Sequence, residues 1–161
     1  MRDDLDRQLD DLLRQVVELG ERADAMLGDA CRALRDGDAA GPTAVIAADV
    51  EVDRLDAAVQ QGVVTTIARR GPVGLDLRRL TALLRASLHL ERMGDYAVNV
   101  ARAAQRSAPF PADEHRLEWA TRMILVARQL ERYGDHGVDL AEQTIFVVTG
   151  EAVELSSDDP R

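Results

Sequence analysis

Two copies of one acidic motif carry most of the chemistry that this sequence offers. Leu90–Asp95 reads LERMGD, and forty residues later Leu130–Asp135 reads LERYGD. In each copy a Glu precedes an Asp by four residues, so two like charges lie on one helix face and mildly destabilise the helix. The Gly between them costs a helix interior roughly 1 kcal/mol relative to Ala. A motif that opposes its own helix and still occurs twice suggests a binding role, and metal ligation is the chemistry that paired carboxylates support.

A further acidic pair, Asp49 and Asp53, precedes the first motif and has the same four-residue spacing. Short connections make consecutive helices antiparallel neighbours, so residues equidistant from a turn come level. Counted from Pro72, Asp53 is level with Glu91. Asp49 is level with Asp95 by the same count. The two acidic pairs are therefore expected to face each other across a helical hairpin.

The second motif is expected to join them. Counted from Phe110, Glu131 falls within about 3 Å of the level of Glu91 at the ~1.5 Å rise per residue of a helix. Gly94 and Gly134 would let neighbouring backbones approach there. Carboxylates at one level cannot all stay charged and unpaired, and a hard cation or small metal cluster with oxygen ligands relieves the repulsion. The candidate metal ligands are Asp49, Asp53, Glu91, Asp95, Glu131 and Asp135.

The elements that position these residues are long helices. Aromatic residues make up only 3% of the chain, and no segment alternates apolar and polar residues with the period of a strand. Apolar residues at steps of three and four predict four helices, and the fold class is all-α. The predicted helices span about Asp4–Arg35, a stretch from Asp38 to Arg70, Leu75–Arg106 and Asp113–Val148.

The third and fourth helices are predicted to be copies, because their apolar stripes superpose at the forty-residue offset. Glu91 and Glu131 lie on these stripes, at predicted core positions. A carboxylate is costly there unless it is protonated, paired or bound to a metal. The predicted stripe of the fourth helix consists of Leu117, Ala120, Ile124, Ala127, Glu131, Gly134, Val138, Ala141 and Ile145.

Composition excludes several classes of partner and site. The formal net charge of −9 and the lack of a basic stripe argue against nucleic acid binding. No Gly-rich phosphate loop is present. Cys31 is the single cysteine and is expected to be a small apolar residue within a helix. The acidic start of the chain does not resemble a signal peptide, and no apolar run approaches ~20 residues, so we expect a cytoplasmic protein.

LERMGDYAVNVA, Leu90–Ala101, resembles the signature of the PhoU family, the accessory regulators of bacterial phosphate uptake. The segments at 71–78, 45–56 and 19–23 resemble further motifs of this family, in the same order. The resemblance implies an antiparallel three-helix bundle, the PhoU repeat, plus one additional long helix. Residues 1–111 would form a complete repeat and 112–150 the last helix of a second repeat that lacks its first two helices. Residues 151–161 would be a tail of one compact domain.

The resemblance also implies a function. The Asp-x-x-x-Asp and Glu-x-x-x-Asp motifs of the family bind multinuclear iron or zinc clusters, which assigns such a cluster to the six candidate ligands; Mn or Mg is the other option. The implied role is negative regulation of phosphate uptake and phosphate-starvation signalling, without catalysis. The implied partners are a membrane sensor histidine kinase and the ATPase of a phosphate ABC transporter, with a homodimer as a further option. A peripheral position at the inner face of the membrane would follow.

Two alternatives stay open. A carboxylate-bridged dimetal oxidase on a four-helix bundle would need Glu-x-x-His pairs, and neither Glu91 nor Glu131 has a His three residues on. A helical interaction module without metal would carry the same acids as solvated surface. In that case Arg54, Arg92 and Arg132 would neutralise the carboxylates by salt bridges.

Overall fold

The computed structural model describes residues 2–38, 40–107 and 115–155. No strand occurs within these ranges, so the prediction of an all-α fold with four long helices is confirmed. The predicted helix start at Asp113, the turn centre at Phe110 and the tail beyond residue 155 lie outside the described residues. The helices are α1 (Arg2–Asp36), α2 (Gly41–Arg70), α3 (Leu75–Gln105) and α4 (Arg116–Thr149).

Local signals start and end the helices where the sequence predicts. The carboxylate of Asp38 accepts hydrogen bonds from the backbone N–H groups of Ala40 (2.9 Å) and Gly41 (3.0 Å), which satisfies donors at the start of α2. Gly71 ends α2 in the left-handed conformation, with φ of 55°, a geometry that favours glycine. The tight link from Gly71 to α3 makes α2 and α3 antiparallel neighbours.

The first three helices share the hydrophobic core. α1 runs antiparallel to α2, as the ion pair between Asp4 and Arg70 at one end of the pair shows. α1 is consequently parallel to α3, and a Cβ at Gly20 would lie 3.4 Å from the side chain of Leu90. The apolar residues that recur at steps of three and four along α1 form a stripe that is buried in this core. The buried residues are Leu9, Leu12, Val16, Leu19, Ala23, Met26, Ala30 and Ala33.

The fourth helix packs along α3 through a different face from the one predicted. Leu117 and Ile124 of the predicted stripe are 81% and 63% exposed, and Glu131 is exposed as well. The buried residue of α4 is Val126 instead. The prediction of a buried stripe on α4 was wrong because α2 covers the matching stripe of α3, whereas no helix among the described residues covers that of α4. The partly buried side chains of α4 that reach the core are Met123, Tyr133 and Leu140.

The level of α4 against α3 also differs from the prediction. Asn99 donates a hydrogen bond to Gln129 (3.3 Å), and Arg122 donates to the backbone carbonyl of Arg106. These contacts put Glu91 level with residue 137, in the turn after Asp135, whereas the count from Phe110 put it level with residue 129. The fourth helix is therefore displaced by roughly 12 Å from the predicted level at ~1.5 Å per residue. The count from Phe110 was wrong because contacts between the two helices, and not the midpoint of their connection, set their relative level.

Contacts between α4 and α1 are fewer and come from side chains. Tyr133 of α4 lies near Asp24 of α1. Burial, and then the charge and hydrogen bond of Asp24, raise the pKa of Tyr133 to about 12. Beyond this contact an apolar groove of ≈ 600 Å³ separates the two helices above α3, with Val17 and Val147 on opposite walls. None of the described helices offers an apolar stretch long enough to cross a lipid bilayer.

Candidate functional site

The first motif lies against α2 because Gly94 lets the two helices approach closely. A Cβ at Gly94 would stand 3.1 Å from Cγ1 of Val52 and 3.7 Å from Oδ1 of Asp49. Gly94 itself is buried, and Val52 is fully buried. The predicted level of the motif against α2 is therefore confirmed. The same prediction for Gly134 was wrong, because no atom of a described neighbouring residue lies within 4 Å of a Cβ built there.

Carboxylates from α2 and α3 gather at this contact. Burial raises the pKa of Asp49, and the charges of Asp53 and then Asp95 raise it further, while Arg102 opposes the shift. The effect of Asp95 shows that the acidic pairs of the two helices act on each other. We call this group the acidic face; it consists of Asp49, Asp53, Asp56, Glu91 and Asp95.

The same causes act on the Glu of the motif. Burial raises the pKa of Glu91, and the charge of Asp95 raises it further. Arg92 opposes this effect, and the charges of Asp56 and Asp53 across the helix contact add to it. Two half-buried carboxylates are thus held in an environment that disfavours their charged forms. A bound cation would reverse this penalty by replacing repulsion between the carboxylates with attraction to the metal.

Asp56 is the member of the acidic face that is not among the six candidate ligands. It is only 9% exposed. Its Oδ2 accepts a hydrogen bond from Gln60 (2.6 Å), but its buried Oδ1 has no hydrogen-bond partner among the described residues. A buried charged oxygen without a partner is costly. The available signal was the three-residue spacing from Asp53, which places both side chains on one helix face.

Arginine does not neutralise the acidic face at close range. Arg54 forms a bidentate pair with Glu51 instead, with N–O distances of 2.9 and 2.7 Å. In the part of the chain that the structure describes, no ion pair within 4.0 Å joins an arginine to these carboxylates. Arg92 and Arg102 act on the face only at longer range. The salt-bridge alternative is therefore not what holds these acids together.

The oxygen donors of the acidic face suit hard cations. The separation of its carboxylates suits a cluster of several ions better than a single ion. Among the described residues, no three of its carboxylates bring oxygens within 4.8 Å of one another. A single ion would need such convergence, whereas ions that are bridged to each other use carboxylates spread over two helices. The partnerless oxygen of Asp56 and the disfavoured charge of Asp49 and Glu91 fit a positively charged guest.

The six candidate ligands separate into two groups. Asp49, Asp53, Glu91 and Asp95 come together in the acidic face. Glu131 and Asp135 do not join them, and both side chains are exposed on α4.

A second group of metal-ligand residues lies between α3 and α4. His89 of α3 meets His136 and Asp139 of α4, and one ligand atom from each lies within 4.8 Å of the others. None of the three is among the six candidate ligands predicted from the sequence, because their meeting depends on how α4 sits along α3. No spacing in the sequence reveals that position.

The architecture and the acidic face define a class of protein. It is an all-α bundle with a three-helix unit, in which carboxylates of the second and third helices lie together where these helices meet. The PhoU domain matches residues 16–104, which is more than half of the chain. The chain therefore belongs to the PhoU family.

Relatives agree with this assignment. The "Phosphate-specific transport system accessory protein PhoU homolog" of Caulobacter vibrioides (strain NA1000 / CB15N) is 26% identical over 215 residues, covering 96% of this chain and 93% of that protein. This alignment is longer than the 161 residues here, so it passes over residues that the relative has and this chain lacks. The homolog of Rhizobium meliloti (strain 1021) is 35% identical over 97 residues, which cover 60% of this chain and 41% of that protein. The division of this chain into one complete and one incomplete repeat stays a prediction.

Solved structures share the fold. The phosphate transport system regulatory protein PhoU from Streptococcus pneumoniae superposes with a TM-score of 0.86 at 19% identity, covering 94% of this chain and 100% of that one. PhoU from Pseudomonas aeruginosa superposes with a TM-score of 0.84 at 21% identity, covering 91% and 99%. These likenesses show that the whole four-helix arrangement has the same fold as those two structures.

Proposed function

We propose that this chain is a negative regulator of phosphate uptake and phosphate-starvation signalling, which acts by binding and not by catalytic turnover. The observation that carries the proposal is the intact three-helix PhoU unit, matched over residues 16–104, with its acidic face assembled. Relatives named as accessory proteins of a phosphate-specific transport system support the setting. The proposed partners are the ATPase of a phosphate ABC transporter and a membrane sensor histidine kinase, met in the cytoplasm at the inner face of the membrane.

The acidic face is the proposed metal site of this regulator. Asp49, Asp53, Glu91 and Asp95 would hold a multinuclear iron or zinc cluster, with Mn or Mg as the other option, and Asp56 would add its partnerless oxygen. A bound cluster would neutralise these carboxylates and fix α2 against α3. Cluster binding is in this way coupled to the geometry of the three-helix unit.

The second motif, with Glu131 and Asp135, lies apart from the acidic face. Glu131 and Asp135 are exposed on α4, so a metal there would need further ligands from outside the described residues. A second copy of this chain is one source of them, because the exposed stripe of α4 repeats the stripe that α3 buries. Sedimentation equilibrium with and without added iron or zinc would detect a dimer formed in this way.

Co-purification tests the partners. The full chain, tagged and expressed in cells grown in ample phosphate, is expected to retain the transporter ATPase or the sensor kinase from detergent-solubilised membranes. The test variant carries Asp53→Asn and Glu91→Gln, and the matched control carries Glu131→Gln and Asp135→Asn. If the chain retains neither partner under conditions where a relative with two repeats retains both, the proposed regulatory role is wrong.

Metal analysis tests the site separately. Protein refolded with iron or zinc and then dialysed is expected to carry more than one ion per chain. The double substitution Asp53→Asn and Glu91→Gln should remove the ions that the acidic face holds, whereas the α4 double control should keep them. A refolded chain with helical circular dichroism and no retained ion would contradict the cluster, whatever the outcome of the partner experiment.

A further inference from the structure

His89, His136 and Asp139 form a compact triangle of ligand atoms between α3 and α4. Nδ1 of His89 lies 2.9 Å from Nδ1 of His136, which in turn lies 2.9 Å from Oδ2 of Asp139. The third side, from Nδ1 of His89 to Oδ2 of Asp139, is 3.2 Å. The side chains are 24%, 20% and 38% exposed in that order, so the triangle is sheltered but reachable from solvent.

The size of this triangle matches one face of a metal coordination sphere. Zinc binds His nitrogen and carboxylate oxygen at about 2.0–2.2 Å. Ligands at that distance stand roughly 3.0 Å apart in octahedral geometry and roughly 3.4 Å apart in tetrahedral geometry. Two sides of the triangle, at 2.9 Å, fall just below this range, and the third, at 3.2 Å, lies within it. Two imidazoles and one carboxylate are also the donors of sites for zinc and other first-row divalent cations, with positions left open for water.

Hydrogen bonding alone does not satisfy all three sides of the triangle. If both Nδ1 atoms are protonated, both donate to Asp139, but two N–H groups then face each other at 2.9 Å. If only His136 is protonated at Nδ1, lone pairs of His89 and Asp139 face each other at 3.2 Å. Each arrangement leaves one repulsive contact. A cation at the centre would be bound by a lone pair from each of the three atoms, so no repulsive contact would remain.

The surroundings prepare His136 for this role. The hydroxyl of Tyr96 lies 3.4 Å from Nε2 of His136, and the two rings are stacked with an interplanar angle of 15°. A proton on Nε2 donated to Tyr96 leaves the lone pair of Nδ1 facing the triangle, which is the arrangement of most metal-bound histidines. Burial lowers the pKa of His89, and this favours the neutral imidazole that binds metals.

The internal repeat contains a natural comparison for the triangle. At the forty-residue offset His89 corresponds to Gln129, and Asp139 corresponds to Asn99. Asn99 donates to Gln129 at 3.3 Å, so the equivalent contact on the other side of the α3–α4 interface is a plain amide pair. His136 corresponds to Tyr96, which it contacts directly. One side of the α3–α4 interface therefore carries potential metal ligands, whereas the equivalent position on the other side carries only an amide hydrogen bond.

We propose that His89, His136 and Asp139 bind a single divalent cation of the zinc type, which fastens α4 to α3. Tyr96 is a positioning residue that orients His136. The proposal goes beyond the regulatory function and the cluster of the acidic face, and it depends on neither, since it uses none of their residues. A cation here would hold a helix that has one buried residue of its own, Val126.

The test is zinc binding by the full chain after treatment with a chelator, measured by calorimetry and by the visible spectrum of the Co²⁺ form. The wild type is expected to bind one ion at this site, to gain thermal stability on binding and to give a Co²⁺ spectrum with nitrogen ligands. The variant with His89→Gln and Asp139→Asn copies the amide pair of the repeat. It should fold, lose the Co²⁺ spectrum and bind zinc at least about 100-fold more weakly.

Three further variants decide between sites. His115→Gln alters a histidine outside the triangle and should leave binding unchanged. Asp53→Asn with Glu91→Gln removes the acidic face and should leave the Co²⁺ spectrum unchanged. Tyr96→Phe should weaken binding roughly tenfold without changing the melting temperature of the metal-free protein.

Two results would overturn the proposal. The first is a Co²⁺ spectrum that survives the amide variant and disappears with the acidic-face variant, because the metal would then belong to α2 and α3. The second is a folded wild-type chain that takes up no zinc at the histidines, as judged by unchanged histidine ring signals in NMR spectra. In that case the triangle is a hydrogen-bonded contact only.

Discussion

Gly94 of α3 and Val52 of α2 are so close that a methyl group on Gly94 would stand 3.1 Å from Cγ1 of Val52. Ordinary contacts between carbon atoms lie at about 3.5–4.0 Å. Val52 is fully buried, and a β-branched side chain in a helix has essentially one rotamer, so it cannot turn away. The carboxylates of the acidic face come together because glycine permits this approach.

Gly94→Ala should therefore destabilise the protein. Alanine is the better helix former by roughly 1 kcal/mol, but overpacking a filled core costs about 1–3 kcal/mol. We expect a net loss of roughly 1 kcal/mol in the free energy of urea unfolding. Gly134→Ala is the matched control at the equivalent position of α4, where an added Cβ meets no described neighbour, and it should stabilise. Equal effects from the two substitutions would refute the close approach.

A second matched pair compares the two apolar stripes. Val98 is 2% exposed on α3, and its counterpart Val138 is 38% exposed on α4. Val98→Ala should cost about 2 kcal/mol in the free energy of unfolding, because it removes buried methyl groups and leaves a cavity. Val138→Ala should change it by less than about 0.5 kcal/mol. Similar losses at both positions would mean that something covers the stripe of α4 in solution, and sedimentation would then show whether it is a second copy.

Neutralising Asp49 should stabilise the metal-free protein. Burial and the charges of Asp53 and Asp95 raise the pKa of Asp49, so folding disfavours its charged form. A like-charge pair four residues apart costs a helix about 0.2–0.5 kcal/mol. We expect Asp49→Asn to gain about this much at neutral pH in the presence of a chelator.

The stability gained by Asp49→Asn should depend on pH. A raised pKa means that the contribution of Asp49 to stability is present below its ordinary value of 3.8 and is lost as the pH rises through the folded-state value. The advantage of Asp49→Asn should therefore shrink towards acid pH and be full at neutral pH. Asp135→Asn, in an exposed pair on α4, should gain less. An advantage of Asp49→Asn that persisted unchanged in acid would have another cause than charge.

Cys31 should react slowly with alkylating reagents. Burial raises the pKa of its thiol above the ordinary 9.0, so less of the reactive thiolate is present at pH 8 than in an unfolded chain. The iodoacetamide reaction of the folded protein should be slower than that of the urea-unfolded protein. The reaction rate of the folded protein should also reach its plateau at a higher pH than that of the unfolded protein. Mass spectrometry follows the modification. A folded protein that reacts as fast as the unfolded one would place Cys31 in open solvent.

The three-helix unit could be predicted from the sequence because its signals are local. Gly71 and Pro72 make the turn between α2 and α3 short, so counting outward from the turn gave the correct facing of Glu91 and Asp53. The stripe of α1 was equally reliable, since its apolar residues have one face to bury. Asp56 was not among the candidate ligands because its burial depends on the packing of α2, which its spacing alone does not reveal.

The fourth helix could not be predicted in the same way. Its stripe copies that of α3, but a stripe shows only what a helix is able to bury and not whether a partner is present. The facing of Glu131 failed for this reason. The meeting of His89 with His136 depends on the displacement of α4 along α3, and that displacement is set by contacts such as Asn99 with Gln129.

The shallow attachment of α4 has a consequence for how the molecule opens. With Val126 as its single buried residue, α4 is expected to detach at a lower free energy than the other helices. The amide protons of α4 would then exchange with deuterium through this partial opening, whereas those of α1, α2 and α3 would exchange only through global unfolding. The chain would have two levels of exchange protection. A cation bound at His89, His136 and Asp139 would raise the protection of α4 towards that of the other three helices.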